Sequence, residues 1–283
     1  MSPSCPAASS GLCLQFDHIT FWVSNAKQAA SFYTAFLGFR PLAHKGLETG
    51  SRAYASHAVA QQEITLLFVS SLSPEDEEFA RHLQQHGDCV KDIAFTVDDV
   101  DAIVDSLSRK QGVRLLRHWQ EEDQDGVVKF ATIASEGDMT HTLVQRNQFS
   151  GLFLPGFRET RTSHVAGNTL PAPGLQFIDH CVATRYENSI DSARDWYEKN
   201  LSFHRFWSVE DLSIETTKSS LKFLVVTNKN EKIKMTILEP AKGNRVSQVQ
   251  EFNEYNGGPG IQHIALHTED IVQSEWRRCI TSP

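Results

Sequence analysis

No apolar run in this sequence approaches the roughly 18 residues of a membrane span, which argues against a helical membrane protein. Cysteine is scarce. The five present (Cys5, Cys13, Cys89, Cys181, Cys279) are odd in number and scattered, with no Cys-x-x-Cys, so neither a disulfide frame nor a thiolate zinc site is expected. A reducing cytoplasm is then the default compartment. Positive charge is in deficit: 27 Lys and Arg against 35 Asp and Glu leave a net charge of −8. That disfavours nucleic acid or an anionic membrane as the main partner. The opening residues Met1 to Ala7 lack the basic and apolar regions of a secretory signal and read as a flexible tail. What remains is ordinary for an ordered soluble chain, with 40% hydrophobic and 22% charged residues. A length of 283 residues accommodates two domains of about 100 to 150 residues each.

The sequence is written twice. A strand-like segment from Phe16 to Val23 leads into a helix with Phe32-Tyr33, then Leu37-Gly38-Phe39. In the second copy Phe177 to Val182 leads into Trp196-Tyr197, then Leu201-Ser202-Phe203, at the same Tyr-to-Leu-to-Phe spacing. A later strand in each, Val90 to Phe95 and Ile261 to Leu266, aligns Asp92 with His263. The first copy therefore offers His18 with Asp92, and the second offers His180 with His263.

The first module is expected over residues 14–150. Its helix begins near the candidate N-cap Ser24, carries Ala29, Phe32, Tyr33, Phe36 and Leu37 at helical spacing, and stops at Gly38. Strands are expected over 63–69, 90–97, 127–133 and 140–144, with a second helix over 98–107. The acidic run from Glu75 to Glu78 reads as a solvated helix start. This order makes the first module a pair of βαβββ units. A Gly-, Pro- and Ser-rich connection covers 151–174. The second module, 175–283, begins with a strand and a helix carrying Ile190, Ala193, Tyr197 and Leu201. Strands are expected next at 221–226 and 234–238, followed by a polar stretch from Gly243 to Asn256. The turn Gly257-Gly258-Pro259-Gly260 then delivers the strand bearing His263. Only 20 residues follow His263, so this module is expected to be incomplete at its C-terminal side. The fold class is α+β.

A lone histidine on a strand is more often a packed, hydrogen-bonded group than a ligand. The matched positions of His180 and His263 reverse that expectation, because equivalent strands of one curved sheet can aim both at one point. Neutral imidazole suits iron, zinc, copper or nickel, and two histidines alone do not identify the metal. His267 lies too far along an extended strand to share an ion with His263. His18 and Asp92 are expected to be satisfied within the first sheet, and Phe203, Phe206 and Trp207 to be core packing.

Several long stretches carry a resemblance: Thr20 to Tyr33, Gly46 to Arg52, His86-Gly87-Asp88, Phe203 to Val209, and Tyr255 to Gly258 through Gln262 to Leu266. They are similar to the 4-hydroxyphenylpyruvate dioxygenase family of the vicinal-oxygen-chelate superfamily, nearly continuously from Phe16 to Ile271. The resemblance implies a structural first module and a second module holding Fe(II) through His180, His263 and a glutamate. It implies oxidative decarboxylation of an aromatic 2-oxo acid by O2, with ring hydroxylation and side-chain migration giving homogentisate, a step of tyrosine and phenylalanine breakdown. It further implies that Ser247, Gln248 and Gln262 belong to a polar network around the substrate.

Three departures qualify that expectation. The family's glutamate corresponds in the first module to the vicinity of Thr142, 50 residues beyond Asp92, and the same offset from His263 lies past residue 283. Neither Glu269 nor Asp270 substitutes for it, and impaired iron binding and turnover are expected. Phe223 stands where the family usually has Ser, and Leu238 where it has Asn, so one wall of the pocket is expected to be more apolar. Gln262 poses a further difficulty, since strict alternation aims it away from the face of His263 unless the strand begins irregularly. Two alternatives stay open, a hydroxymandelate synthase-like enzyme and an inactive fragment with a binding role. The assembly is open as well, a homodimer included.

Overall fold

A computed structural model describes residues 11–110, 112–135, 137–160, 173–206, 213–215, 220–241 and 245–274. The initial tail, Trp207, Gly243, residues 161–172 of the 151–174 connection and the last nine residues lie outside the described residues.

The first half begins with β1 (Cys13–Trp22), α1 (Ala26–Leu37), β2 (Arg40–Lys45), β3 (Tyr54–Gln61), β4 (Ile64–Ser71) and α2 (Glu77–His86). It continues through β5 (Cys89–Val97), α3 (Val100–Ser108), β6 (Leu115–Asp123), β7 (Gly126–Ala134), β8 (Thr140–Phe149) and β9 (Arg158–Glu159). These strands form one nine-stranded sheet, ordered β6-β7-β8-β5-β1-β4-β3-β2-β9. The second half comprises β10 (Leu175–Thr184), α4 (Ile190–Leu201), β11 (His204–Arg205), β12 (Ser213–Glu215) and β13 (Ser220–Thr227). Then come β14 (Lys234–Ala241), α5 (Gln248–Tyr255) and β15 (Ile261–Thr268). Its sheet runs β11-β13-β14-β10-β15, with β12 beside β13. Apolar strand segments, several of them buried on both faces, and amphipathic helices between them produce the α+β architecture expected from the repeat.

The repeat holds at the level of individual residue pairs. In the antiparallel pair β1/β5, His18 faces Ala94, Ile19 faces Ile93 and Thr20 faces Asp92. In β10/β15, His180 faces Ala265, Cys181 faces Ile264 and Val182 faces His263. The parallel neighbours match too, Ile19 with Leu66 in one sheet and Cys181 with Met235 in the other.

Several elements differ from the sequence reading. The N-cap of α1 is Asn25, whose side chain accepts from Gln28 N, while Ser24 donates its N–H and hydroxyl to Asp88 Oδ1 at 2.7 Å. Gly38 does end the helix, in the left-handed conformation at φ 70°. β2, β3 and β6 escaped the periodicity search. β6 is an edge strand that carries Arg117, His118, Glu121 and Glu122, and such charge blunts an edge against further pairing. The polar stretch before Asn256 contains α5, capped by Ser247 and buried only through Val249 and Asn253. It is the counterpart of α2, lying between β14 and β15 as α2 lies between β4 and β5.

One apolar cluster joins both halves. It gathers Ile19, Phe39, Ile93, Phe95 and Leu143 with Tyr197, Phe203, Met235 and Ile237. Within it the buried His141 donates from Nδ1 to the Ile93 carbonyl (3.1 Å), and its Nε2 accepts from the Tyr197 hydroxyl (2.8 Å). Backbone and amide bonds reinforce the seam, from Glu63 N to Gln176 O (2.9 Å) and from Asn228 Nδ2 to Cys13 O (2.8 Å).

Burial holds the His141 imidazole neutral, pushing its pKa down to about 4. The unfolded chain binds this proton near pH 6.5, so between these values it holds more protons than the folded one. The stability from neutral His141 is therefore complete above that window and lost as pH falls toward about 4, by up to about 3 kcal/mol. The expected outcome is that His141→Gln is less stable at neutral pH yet loses less on acidification, read from urea midpoints across the window. Parallel curves for the two proteins would contradict a buried neutral His141.

Candidate metal centre

β10 and β15 place His180 and His263 on one face of the second sheet, with ring centroids 6.0 Å apart and planes at 75°. The register explains how. His263 pairs with Val182, but Ile261 pairs with the next residue, Ala183, so Gln262 is an extra residue on β15. Such a bulge suspends alternation and re-aims a side chain. Gln262 consequently reaches its neighbour, its Oε1 lying 3.1 Å from His263 Nδ1. The same bulge occurs in the first sheet, where Thr20 faces Asp92, Phe21 faces Val90, and Lys91 is the extra residue.

Both imidazoles are anchored through Nδ1. His180 Nδ1 lies 2.7 Å from Asp179 Oδ2, and Lys234 Nζ donates to the other oxygen of Asp179 at 3.0 Å. Burial opposes ionisation of Asp179, yet the bonds from His180 and Lys234 hold its carboxyl below the usual carboxylate range. Burial and the neighbouring His180 push His263 down, favouring the neutral ring. An imidazole whose Nδ1 proton is committed to an acceptor presents Nε2 as a lone pair, the arrangement found in metal-ligating histidines. Among the described residues, no third His, Cys, Asp or Glu joins this pair in a compact three-ligand group.

The first sheet shows the same cradle closed. His18 Nδ1 lies 2.6 Å from Asp17 Oδ1, and Arg146 Nε and Nη2 donate to Asp17 at 2.7 and 2.6 Å. Burial works against that carboxylate, but Arg146 and His18 lower its pKa strongly. Asp92 accepts from Thr140 (2.5 Å) and Thr142 (2.9 Å), and burial pushes its pKa up to about 6. The Phe153 ring packs edge-on to His18 at 5.2 Å. His18 and Asp92 are thus satisfied within the sheet, as expected. The Thr142–Asp92 bond also shows that a position 50 residues past the counterpart of His263 can reach it.

The remaining sequence candidates divide. Val182, Leu238 and Val249 form an apolar cluster with Leu221 and Phe223, and Phe223 faces Leu238 across β13/β14. Through Val182, the partner of His263, this cluster shares the face of the two histidines. Ser247 is buried as the cap of α5, its Oγ accepting from Val249 N at 3.4 Å, whereas Gln248 is exposed. His267 is stacked on Phe177 with centroids 4.5 Å apart and bonded to Gln176 (3.1 Å). Glu269 accepts from Gln176 Nε2, and Asp270 Oδ1 accepts from Gln273 N. β15, the last strand of its sheet among the described residues, borders a cleft of ≈ 400 Å³ that includes Gln262 and His263. Asp179 went unremarked in the sequence, although an Asp-His pair precedes both helices of the repeat.

Known proteins place this geometry. The Glyoxalase/Bleomycin resistance protein/Dioxygenase superfamily model matches residues 15–133 and 177–274. A 4-hydroxyphenylpyruvate dioxygenase of Danio rerio is 49% identical over 265 residues, covering 93% of this chain and 67% of the relative. One from Caenorhabditis elegans is 48% identical over the same coverage, and one from Dictyostelium discoideum is 46% identical over 92% of this chain and 71% of its own. Among solved structures, a substituted 4-hydroxymandelate synthase from Streptomyces coelicolor superposes with a TM-score of 0.78 at 25% identity, covering 95% of this chain and 75% of that one.

Because Leu238 is packed against Val182 and Val249, replacing it is a packing change before it is a change of pocket polarity. Leu238→Asn is expected to cost about 2–4 kcal/mol of unfolding free energy, from lost burial and an unpaired carboxamide. A cost under about 0.5 kcal/mol in urea unfolding, the range of an ordinary surface change, would place this side chain in solvent instead.

Proposed function

The chain belongs to the 4-hydroxyphenylpyruvate dioxygenase family, and from that membership we propose that it uses Fe(II) on its second sheet to convert 4-hydroxyphenylpyruvate and O2 to homogentisate and CO2. The observation that carries the reading is the His180/His263 pair on one face of the sheet, with each Nδ1 hydrogen-bonded to a neighbouring side-chain oxygen. In this reading His180 and His263 are two of the iron ligands, and the third donor lies outside the described residues. Fe(II) bound there supplies electrons to O2 and adjacent open positions for a bidentate 2-oxo acid.

The chain's own residues would do the rest. Asp179, steadied by Lys234, orients His180, and Gln262 orients His263 while presenting its amide to the cleft. Ser247 and Gln248 supply polar groups at the start of α5, and Phe223 and Leu238 an apolar wall that excludes water from the reacting end. The division of labour we propose assigns 14–150 to a structural module, 151–174 to a connection and 175–283 to the metal-binding module. A cytoplasmic setting agrees with the free thiols of Cys13, Cys89 and Cys181. The likeness to 4-hydroxymandelate synthase supports a second reading on the same scaffold, hydroxylation of the side chain instead of the ring. Product identity separates the two.

Metal content tests the ligand assignment. His180→Ala and His263→Ala are each expected to retain no Fe(II) after desalting, to lose Fe(II)-dependent oxygen uptake with 4-hydroxyphenylpyruvate, and to keep the wild-type circular dichroism spectrum. Wild-type iron retention in either variant would overturn the assignment. Asp179→Ala should keep the ligands and weaken Fe(II) binding by about 10- to 100-fold, the usual effect of removing a carboxylate behind a ligating histidine. Unchanged affinity in a direct titration would remove Asp179 from that role.

A further inference from the structure

A second pair of imidazoles lies on the other half of the molecule, at the C-terminal end of α2. His82 and His86 are one helical turn apart, a spacing that puts both on one face and recurs in zinc-binding helices. Asp138, on the loop between β7 and β8, meets them there. One ligand atom from each of the three residues lies within 4.8 Å of the others.

Three observations indicate that the cluster lacks a component. First, His82 is buried, its Nε2 lies 3.1 Å from Cys89 Sγ, and its Nδ1 has no hydrogen-bond partner. A buried orphan of this kind costs about 1–3 kcal/mol unless something binds it. Second, His86 Nδ1 lies 2.5 Å from the Asn256 carbonyl and must donate to it. In the neutral ring Nε2 then carries the lone pair, yet it faces Asp138 Oδ2 at 3.0 Å. Two lone pairs at that distance require a proton or a cation between them. Third, the polar residues around the gap are arranged as supports. The Asn256 carbonyl sits behind His86 as a backbone acceptor sits behind a ligating histidine, and Lys91 Nζ holds the Asp138 carbonyl at 2.7 Å. A cavity of ≈ 10 Å³ lies among His82, His86, Cys89, Asp138 and Asn256.

We propose that His82, His86 and Asp138 form a second divalent-metal site, of the zinc class, separate from the His180/His263 pair. Two imidazole nitrogens and one carboxylate oxygen are the usual donors for such an ion, with the fourth position open to water. Bonds of about 2.0–2.2 Å place tetrahedral donors about 3.3 Å apart. The cluster therefore closes by up to about 1.5 Å on binding, toward which the half-exposed Asp138 side chain can move. The buried His82 is held neutral, the form that ligates.

The site's position suggests what an ion there does. α2, the β7–β8 loop and the Asn256–Gly260 turn meet at this point, and Gln85 Nε2 donates to Gly257 O at 2.8 Å. Gly257, at φ 66°, approaches so closely that a Cβ would lie 2.6 Å from Gln85 O. Three residues beyond this turn stands His263. A metal tying His86, and through it the Asn256 carbonyl, to Asp138 would stiffen the strand start that delivers His263. This consequence rests on the proposed function; metal binding at the cluster does not.

The test uses the full chain carrying His180→Ala and His263→Ala, so that the first pair cannot contribute. Equilibrium dialysis against Zn(II) should find about one ion per chain, and adding His82→Gln and His86→Gln should abolish it. No bound Zn(II) in the first protein, or the same stoichiometry in the second, overturns the proposal whatever the fate of the iron assignment. If the double glutamine variant does not fold, Asp138→Asn supplies the decision, since its side chain is half exposed. It should weaken Zn(II) binding at least tenfold and change the visible spectrum of the Co(II)-loaded protein. An unchanged affinity and spectrum would show that the cluster is a simple His86–Asp138 ion pair.

Discussion

The antiparallel pairings β1/β5 and β10/β15, each interrupted by a bulge, organise this molecule. On β10/β15 the bulge at Gln262 turns His263 onto the face of His180 and lets Gln262 itself reach the ring beside it. On β1/β5 the bulge at Lys91 does the same for Asp92 and His18. A one-residue error in either register would send these side chains to the opposite face, into the shared apolar core. The turn Asn256–Gly260 helps set that register, because Thr184 N donates to the Gly260 carbonyl at 2.9 Å and Gly260 N donates back to Thr184 Oγ1 at 3.1 Å.

Two copies of one cradle have met different ends. In the first sheet Arg146, Thr140, Thr142 and Phe153 occupy every direction from which a ligand could approach, and His18 is 4% exposed. Its polar groups are bonded to one another, and the cradle ties the strands of the sheet together. In the second sheet the His180 side chain is 32% exposed, and its only described side-chain partner at Nδ1 is Asp179. The two differ both in the pair itself, Asp92 standing where the second sheet has His263, and in the described residues that cover it. The two sheets are not independent bodies, however. The His141–Tyr197 bond and the packing of Phe95 on Phe203 make the first sheet a wall on which α4 is seated.

Sequence reasoning worked wherever a pattern was local or repeated. The matched segments 16–23 and 177–182, the Tyr-Leu-Phe spacing, and the matched strands 90–95 and 261–266 revealed the duplication and the histidine pair. It failed where the pattern was weak for a physical reason. β6 is an edge strand with solvent on both sides of much of its length, so its side chains need not alternate. α5 buries only two residues, too few for a readable apolar stripe, and only its likeness in position to α2 could have announced it. Ser24 was as good an N-cap as Asn25 by residue type, and the choice was made by Asp88, 64 positions away, which takes both Ser24 donors.

Residue order alone determined the α+β class, the internal repeat, the equivalence of His180 with His18 and of His263 with Asp92, and the family. These follow from short-range periodicity and from similarity that accumulates along the chain. Only the tertiary structure decided that Gln262 is a bulge, that Leu238 is wedged between Val182 and Val249, and that Asp179 braces His180. It alone brought His82, His86 and Asp138 together, since 52 positions separate His86 from Asp138. The reason is the same in each case. Hydrogen bonds and packing act over a few ångströms in space, and a residue's place in the chain does not disclose which distant residue the fold will bring within that range.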